Sequence, residues 1–339
     1  MTLPRNGNRR SIDNEMRMTQ NETIAALKAT FVGFVLAMHP VYAQDAAPGE
    51  WLKKMASAVQ TTNYEGTVIR IQDGVADALK VVHVVSDDVV REKVIIQEGN
   101  NLEIIRNGNE VHFIMPEKKS VLVEEWDDKS TLFSTLPSSD IRFGSEYDLS
   151  IVRKERIAGR KSIMLAIRPH DGFRYGHRIW LDIATGFPLQ TKLMDEHGDA
   201  IEQVKFADIT LDAEIDVSAL QPSINIDDFR WYAEPQRTIT KEAASDWVSD
   251  NLPPGFLLTS TRSERKSDTD EAVMHMMFSD GLANVSVFVE PGLDMTISGR
   301  TRAGASNAFS ILVGEFCVTA VGEVPAVTVE QIARSMQAP

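Results

Sequence analysis

A chain of 339 residues, 43% of them hydrophobic and 7% aromatic, holds enough apolar material for two cores, which excludes a disordered or fibrous protein. Its formal charge of −14 repels phosphate backbones and anionic membrane surfaces, so nucleic-acid binding is not expected and a partner with a basic face is favoured. The one cysteine, Cys317, rules out an intramolecular disulfide and any Cys-x-x-Cys site; in the run Phe316-Cys317-Val318 it is expected to be a small buried hydrophobe.

Residues 1–43 read as an export leader. Scattered polar and basic residues and Lys28 precede the apolar run from Ala29 to Met38, and Val41-Tyr42-Ala43 offers small or slender side chains where a signal peptidase reads. Such a run falls short of the roughly 20 residues that cross a bilayer core. A signal peptide cleaved near Ala43 is therefore expected, with Met16 and Met18 as alternative starts. Removing residues 1–43 takes away five basic and three acidic residues, so the charge of the remainder moves to −16.

After the leader, Trp51, Leu52, Met55 and Val59 have helical spacing over Glu50–Gln60. Alternating runs then predict strands over Gly66–Ile71, Leu79–Val85, Val89–Ile96, Leu102–Arg106, Val111–Met115 and Lys119–Glu124. Asn107-Gly108 between two of them is a strong hairpin signal. Trp126–Tyr147 mixes apolar residues with Pro137-Ser138-Ser139-Asp140, as short helical turns over a sheet would. Strands resume over Ile151–Ile157 and Ser162–Ile167 and lead into a meander. In it Ile179 and Leu181 oppose Arg178, Trp180 and Asp182, while Phe187, Leu189 and Leu193 oppose Gln190 and Lys192, up to a run that ends near Ile209. About ten strands joined mostly by short turns make an antiparallel sheet large enough to curl.

The stretch Asp212–Asp228, with five acidic residues and no basic one, reads as a linker. Beyond it, Thr240–Val248 is expected as a short helix. Strands follow over Phe256–Ser263, Ala272–Phe278, Leu282–Glu290, Ala308–Val313 and Glu315–Val321, and Val327–Met336 is helical. Lys266–Glu271 and Asp294–Ala305 read as loops. The division expected is a leader at 1–43, a large domain at 44–211, a linker at 212–235 and a small α+β domain at 236–339.

No catalytic signature appears: no nucleophile elbow, phosphate loop, dinucleotide fingerprint, zinc-protease motif or EF-hand loop. His170 and His177 flank a loop-like stretch without a third well-spaced ligand and are read as solvated loop histidines, so neither a metal nor a cofactor is expected. His83, His112 and His275 are expected to face outward or to be hydrogen-bonded.

Six pieces in order carry a resemblance: Asn63-Tyr64-Glu65-Gly66-Thr67, Ile105–Val111, Trp180-Leu181-Asp182 with Thr185–Leu189, Leu252–Phe256, Phe278–Leu282 and Val321–Pro325. Together they resemble the periplasmic sigma-E regulatory family RseB, also called MucB. The piece from Trp180 to Leu189 is also similar to the lipoprotein carriers LolA and LolB, whose fold is an unclosed β-barrel with helices over its mouth. The resemblance implies a mostly β chain with such a barrel and a smaller α+β domain. It implies export to the periplasm, binding of the periplasmic part of an RseA/MucA-like anti-sigma factor, shielding of that factor from the site-1 protease DegS, and release by lipopolysaccharide or mislocalised lipoprotein. A homo-oligomer is compatible with it. Cys317 matches no motif of the family.

Two other readings stand beside this one. A lipid or lipoprotein carrier of LolA type would not need the domain after about Phe229, and a hydrolase would need a site the motifs do not show. Large apolar residues on alternating strands make Val111, Phe113, Met115, Trp180, Phe187 and Leu189 the candidates for an acyl-chain cavity. Trp180 alternates with Ile179 and Leu181, and only one of those faces lines a cavity. Trp247, Phe256, Met274 and Met276 are the candidates for the partner face, through a rigid apolar corner and adaptable thioethers.

Overall fold

Period-two alternation decides most of the architecture. The computed structural model describes residues 47–87, 89–125, 136, 145–233, 238–241, 246–265, 272–292 and 299–338. The expected leader, most of the stretch between Trp126 and Tyr147, and the loop Lys266–Glu271 lie outside the described residues.

Helix α1 (Pro48–Thr61) starts at a proline, whose missing N–H falls where no intrahelical partner exists, and turns Trp51, Leu52 and Met55 inward. It ends as Thr62 takes up extended backbone angles. Eleven strands follow where about ten were expected: β1 (Tyr64–Gln72), β2 (Val75–Ser86), β3 (Val89–Ile96), β4 (Glu103–Asn107), β5 (Glu110–Met115), β6 (Ser120–Glu125), β7 (Tyr147–Ile157), β8 (Arg160–Pro169), β9 (Gly176–Asp182), β10 (Pro188–Met194) and β11 (Ala200–Leu211). They pair antiparallel in the order β6-β5-β4-β3-β2-β1-β11-β10-β9-β8-β7. Two meanders thus join through β1 and β11, and among the described residues the ends do not pair, so the sheet is unclosed. Gly108 carries the positive φ (64°) that the β4–β5 turn needs.

The stretch read as a linker runs along this large sheet. Asp216 caps a short 3-10 turn at Val217–Leu220 through the Ser218 N–H, and Leu220 is buried. Lys93 donates to Gln221 O and Ser223 Oγ, while the Ser223 N–H donates to Glu103. The chain then adds β12 (Arg230–Ala233), the one parallel partner among the described strands of the sheet, to the outer edge of β6.

The second sheet contains β13 (Thr238–Lys241), β15 (Leu257–Arg265), β16 (Ala272–Ser279), β17 (Asn284–Pro291), β18 (Gly299–Ala303), β19 (Ser306–Val313) and β20 (Phe316–Gly322), in the order β13-β15-β16-β17-β20-β19-β18. A two-residue strand, β14 (Val248–Ser249), pairs with β21 (Met336–Gln337) after helix α2 (Ala326–Ser335). Two sequence expectations are corrected. The expected helix over Thr240–Val248 is instead strand at its described ends, because the β-branched run Thr238-Ile239-Thr240 finds a partner in β15. The expected loop Asp294–Ala305 contains β18, which hid from alternation because an edge strand with Arg300, Thr301, Arg302 and Ala303 all exposed buries no face.

Each sheet has its own core. Beneath α1, Trp51, Leu52 and Met55 pack on Ile163, Leu165, Ile179 and Leu181. In the small sheet Val285, Val287, Val289, Val318 and Ala320 meet Val329 and Ile332 of α2. Among the described residues no helix is long and apolar enough to cross a membrane.

Candidate functional site

The β4–β6 end of the large sheet offers an apolar groove. Register places Ile104, Phe113 and Leu122 side by side across three strands. Leu102, Phe113, Met115 and Leu122 line a depression of about 290 Å³, with Asn100, Glu117, Lys118 and Glu124 at its polar margin. Phe113 and Met115, half-buried, are thus together, whereas Val111 is fully buried opposite Arg106 and Glu124 in the ladder.

The other three cavity candidates sit elsewhere in the sheet. Phe187 and Leu189 are fully buried in a second core cluster that also contains Trp180, with Phe187 4.8 Å from the Tyr64 ring and 6.0 Å from Phe206. Trp180 pairs with Met164 and Gln190, while Ile179 pairs with Leu165 and Thr191, so the two lie on opposite faces. Ile179 and Leu181 are the residues that α1 covers, and the Trp180 indole N–H donates to Glu155 instead.

The turn after Trp180 explains its motif. Asp182 Oδ1 accepts from the Ala184 and Thr185 N–H groups at 3.0 and 2.8 Å, and Oδ2 accepts from Arg160 Nε at 2.8 Å. Burial alone would raise this carboxyl, but the Arg160 and Thr185 hydrogen bonds outweigh it and hold it below the usual carboxylate range. Gly186 has φ +82°, and a Cβ there would stand 2.5 Å from Lys54 Cγ, whose ammonium caps the turn at Ile183 O and Ala184 O. The motif is therefore a tightly fastened turn.

Inside the large sheet lies a polar cluster that sequence reasoning missed. His83 Nδ1 is 2.8 Å from Glu92 Oε2, the Tyr64 hydroxyl donates to the same oxygen at 3.3 Å, and the Tyr64 and His83 rings stack at 4.7 Å. All three are 1% exposed. Burial first, then the charge of Glu92, holds the Tyr64 hydroxyl protonated. The ladder makes neighbours of Tyr64, His83 and Glu92, and alternation alone would have placed them on one face.

In the small domain Trp247, Phe256 and Met276 are buried in the core, with Met274 partly buried against it. Trp247 meets the edge of Phe316 at 5.5 Å. His275 is buried, stacked on Phe288 at 4.4 Å and hydrogen-bonded by Arg262. His170 behaves as a solvated residue paired with Asp148 at 3.0 Å. His177 does not: it opens strand β9, half-buried, and burial pushes its imidazole down to about 4. Among the described residues no group of His, Cys, Asp and Glu is arranged to hold a metal ion, and Cys317 is buried beside Thr319.

The two sheets meet at a polar seam. Arg174, in the β8–β9 connection, has no exposed side-chain surface and lies 2.6 Å from Asp171 and 2.7 Å from Asp280, the latter a close ion contact in the β16–β17 turn. Asp280 also accepts from the Tyr147 hydroxyl at 2.8 Å. Neighbouring residues add Phe173 O to Thr328 and the Tyr175 hydroxyl to Asn307. Arg174 and Asp280 could not be matched from sequence, since each sits in a turn whose partner belongs to the other domain.

Comparison with known proteins gives the family. The MucB/RseB N-terminal domain model matches residues 47–224 and the MucB/RseB C-terminal domain model residues 241–337. The chain is 30% identical over 312 residues to the sigma factor AlgU regulatory protein MucB of Pseudomonas aeruginosa, covering 90% of this chain and 95% of that protein. It is 24% identical over 299 residues to the sigma-E factor regulatory protein RseB of Escherichia coli, covering 86% and 91%. Among solved structures, the complex of Pseudomonas aeruginosa MucA/MucB matches with a TM-score of 0.64 at 28% identity, covering 86% of this chain and 99% of that chain. The crystal structure of MucB matches with a TM-score of 0.58 at 27% identity, covering 86% and 98%. With both domain models matched in order along the described fold, the chain belongs to the MucB/RseB family.

Proposed function

We propose that this protein is an exported, periplasmic negative regulator of a sigma-E-type envelope stress response. It binds the periplasmic part of an RseA/MucA-like anti-sigma factor and shields it from site-1 proteolysis, and it does so by binding, without catalysing a reaction. One observation carries the reading: the chain aligns over 86% of its length, through both domains, with a relative solved as the MucA/MucB complex. A carrier of LolA type is the weaker reading, because residues 241–337 match a MucB/RseB domain that a carrier has no use for.

Acyl chains of lipopolysaccharide or of mislocalised lipoprotein are the release signal, taken up by the groove of Leu102, Phe113, Met115 and Leu122. Each methylene removed from water there contributes about 0.8 kcal/mol. Phe187 and Leu189 are buried core residues outside that groove, and Trp247, Phe256, Met274 and Met276 shape the small-domain face that the partner meets.

The test is protease protection. The purified chain without residues 1–43 is expected to protect an RseA/MucA-type periplasmic segment from DegS, and micellar lipopolysaccharide to undo that protection. Equal cleavage with and without the protein would sink the regulator reading, and protection that lipid leaves untouched would sink the groove.

A further inference from the structure

The seam between the sheets is built unlike either core. Three successive residues of the β8–β9 connection each engage a different element of the small domain: Phe173 the start of α2, Arg174 the β16–β17 turn and Tyr175 strand β19. Arg174 is the central member. Its guanidinium lies 5.4 Å from the Tyr147 ring and 5.2 Å from the Phe256 ring, one from each domain, and also donates to Pro254 O. Both charges of the Arg174–Asp280 pair are withdrawn from water, with side chains 0% and 1% exposed.

Removing one partner of a buried ion pair is far more costly than removing both, because the survivor stays uncompensated. A pair of this kind contributes less to net stability than to selecting one arrangement over others. Asp280 is itself held in place, its Oδ1 accepting from the Leu282 and Ala283 N–H groups at 2.9 and 2.8 Å, so the carboxylate is a fixed socket. The planar fork of Arg174 fits that socket in one orientation. Contacts between domains that are polar and few are ordinarily permissive of domain motion.

We propose that Arg174 and Asp280 form a lock that fixes the relative orientation of the two sheets, and that partner binding requires the locked orientation because Phe256, on the face proposed to meet the partner, packs against the Arg174 guanidinium. The second half rests on the regulator reading above; the first does not. Without the lock both cores remain folded and the domains turn independently.

The test uses spin labels at Val152→Cys on β7 and Val327→Cys on α2, which are 40% and 47% exposed, in a Cys317→Ala background. Arg174→Met/Asp280→Asn removes both charges of the pair together, so neither is left buried without the other. The parent protein is expected to give one narrow interspin distance by pulsed electron resonance, and the double variant a broad distribution with circular dichroism unchanged. A narrow, unshifted distance in the folded double variant overturns the lock. Affinity for an RseA/MucA-type periplasmic segment, measured by calorimetry, is expected to fall at least tenfold in the double variant, with Arg174→Lys falling between. A broadened distance with unchanged affinity overturns the requirement for the locked orientation. If the parent protein itself fails to bind the segment, the regulator reading falls while the distance measurement still judges the lock.

Discussion

The two sheets solve the same packing problem with different material. The small one buries an apolar stripe under one helix, and among its described residues the buried polar ones are His275, Asn307, Thr328 and Ser335. The large one buries Glu92, Lys93, Glu103, Arg106, Arg174 and Asp182 together with His83. A buried charge is tolerated only where it is paired and hydrogen-bonded. The large sheet therefore depends on pairwise matches that no single residue supplies, while the small sheet depends on volume.

The sharpest way to break this contrast is at Lys93, whose ammonium lies 3.7 Å from Glu103 with side chains 7% and 5% exposed. Lys93→Met leaves that carboxylate without a counter-charge, with only the Ser223 N–H among the described residues to satisfy it, and is expected to cost about 3–5 kcal/mol in urea unfolding. Lys93→Met/Glu103→Leu is expected to recover most of the loss. A double variant as unstable as the single one would show that the pair does not act as a unit.

A smaller effect follows from His177. Burial holds this imidazole at about 4 against an ordinary 6.5, with Asp280 opposing in part. The folded state keeps the ring neutral while the unfolded chain takes up a proton. Its stabilising contribution is therefore complete above pH 6.5 and is lost as pH falls toward 4. The loss stays below the roughly 3 kcal/mol that a fully enclosed ring with that shift would give, because part of the ring meets solvent. A His177→Gln variant whose unfolding free energy keeps the parent's slope over that window would refute the assignment.

In the apolar core of the small sheet the expected costs are those of volume. Ile332→Val, at a fully buried position of α2, is expected to lower stability by about 0.5–1.5 kcal/mol with no second substitution that recovers it. The smallest effect belongs to Glu323. Burial and then the charge of Glu202 raise its carboxyl above the ordinary range, and burial likewise raises Glu202. Raised carboxyls favour folding while protonated, and that contribution fades as pH rises past about 4.5. Glu323→Gln is thus expected to stabilise at neutral pH by less than about 0.5 kcal/mol, a gain that vanishes in acid, as read from melting temperatures.

What was legible in the sequence followed the same divide. Alternation placed strands β1 to β11 and β15, β16, β17, β19 and β20 but missed β12, β13, β14, β18 and β21, and the opposition of Trp180 to Ile179 and Leu181 matched the observed register. The turn from Asp182 to Phe187 was visible as a motif because the side chains of Asp182 and Thr185 accept from the turn's own backbone N–H groups, although its fastening by Arg160 and Lys54 comes from distant parts of the chain. The pairs Lys93–Glu103 and Arg174–Asp280 were not, since a charge in sequence carries no sign of its burial until the ladder or the opposite domain closes over it. The stretch 212–228 looked like a free connector because acidic residues mask the few contacts, Leu220 and the Ser223 N–H, that fasten it. Strand β18 was hidden for the converse reason: it exposes nearly everything.

The position of β12 has a mechanical consequence. The chain leaves the large domain from one terminus of the strand order, beside β6, while Tyr147 of β7, at the other terminus, holds Asp280. The small domain is thus attached to both margins of an open sheet, covalently at one and by hydrogen bonds and charge at the other. The joint at Arg174 and Asp280 is accompanied, among the described residues, by an exposed contact of Arg302 with Asp73 of the β1–β2 turn at 3.7 Å, and the covalent link through β12 keeps the halves of these contacts at a high effective concentration. Contacts of this kind open and reclose without the parts ever diffusing apart.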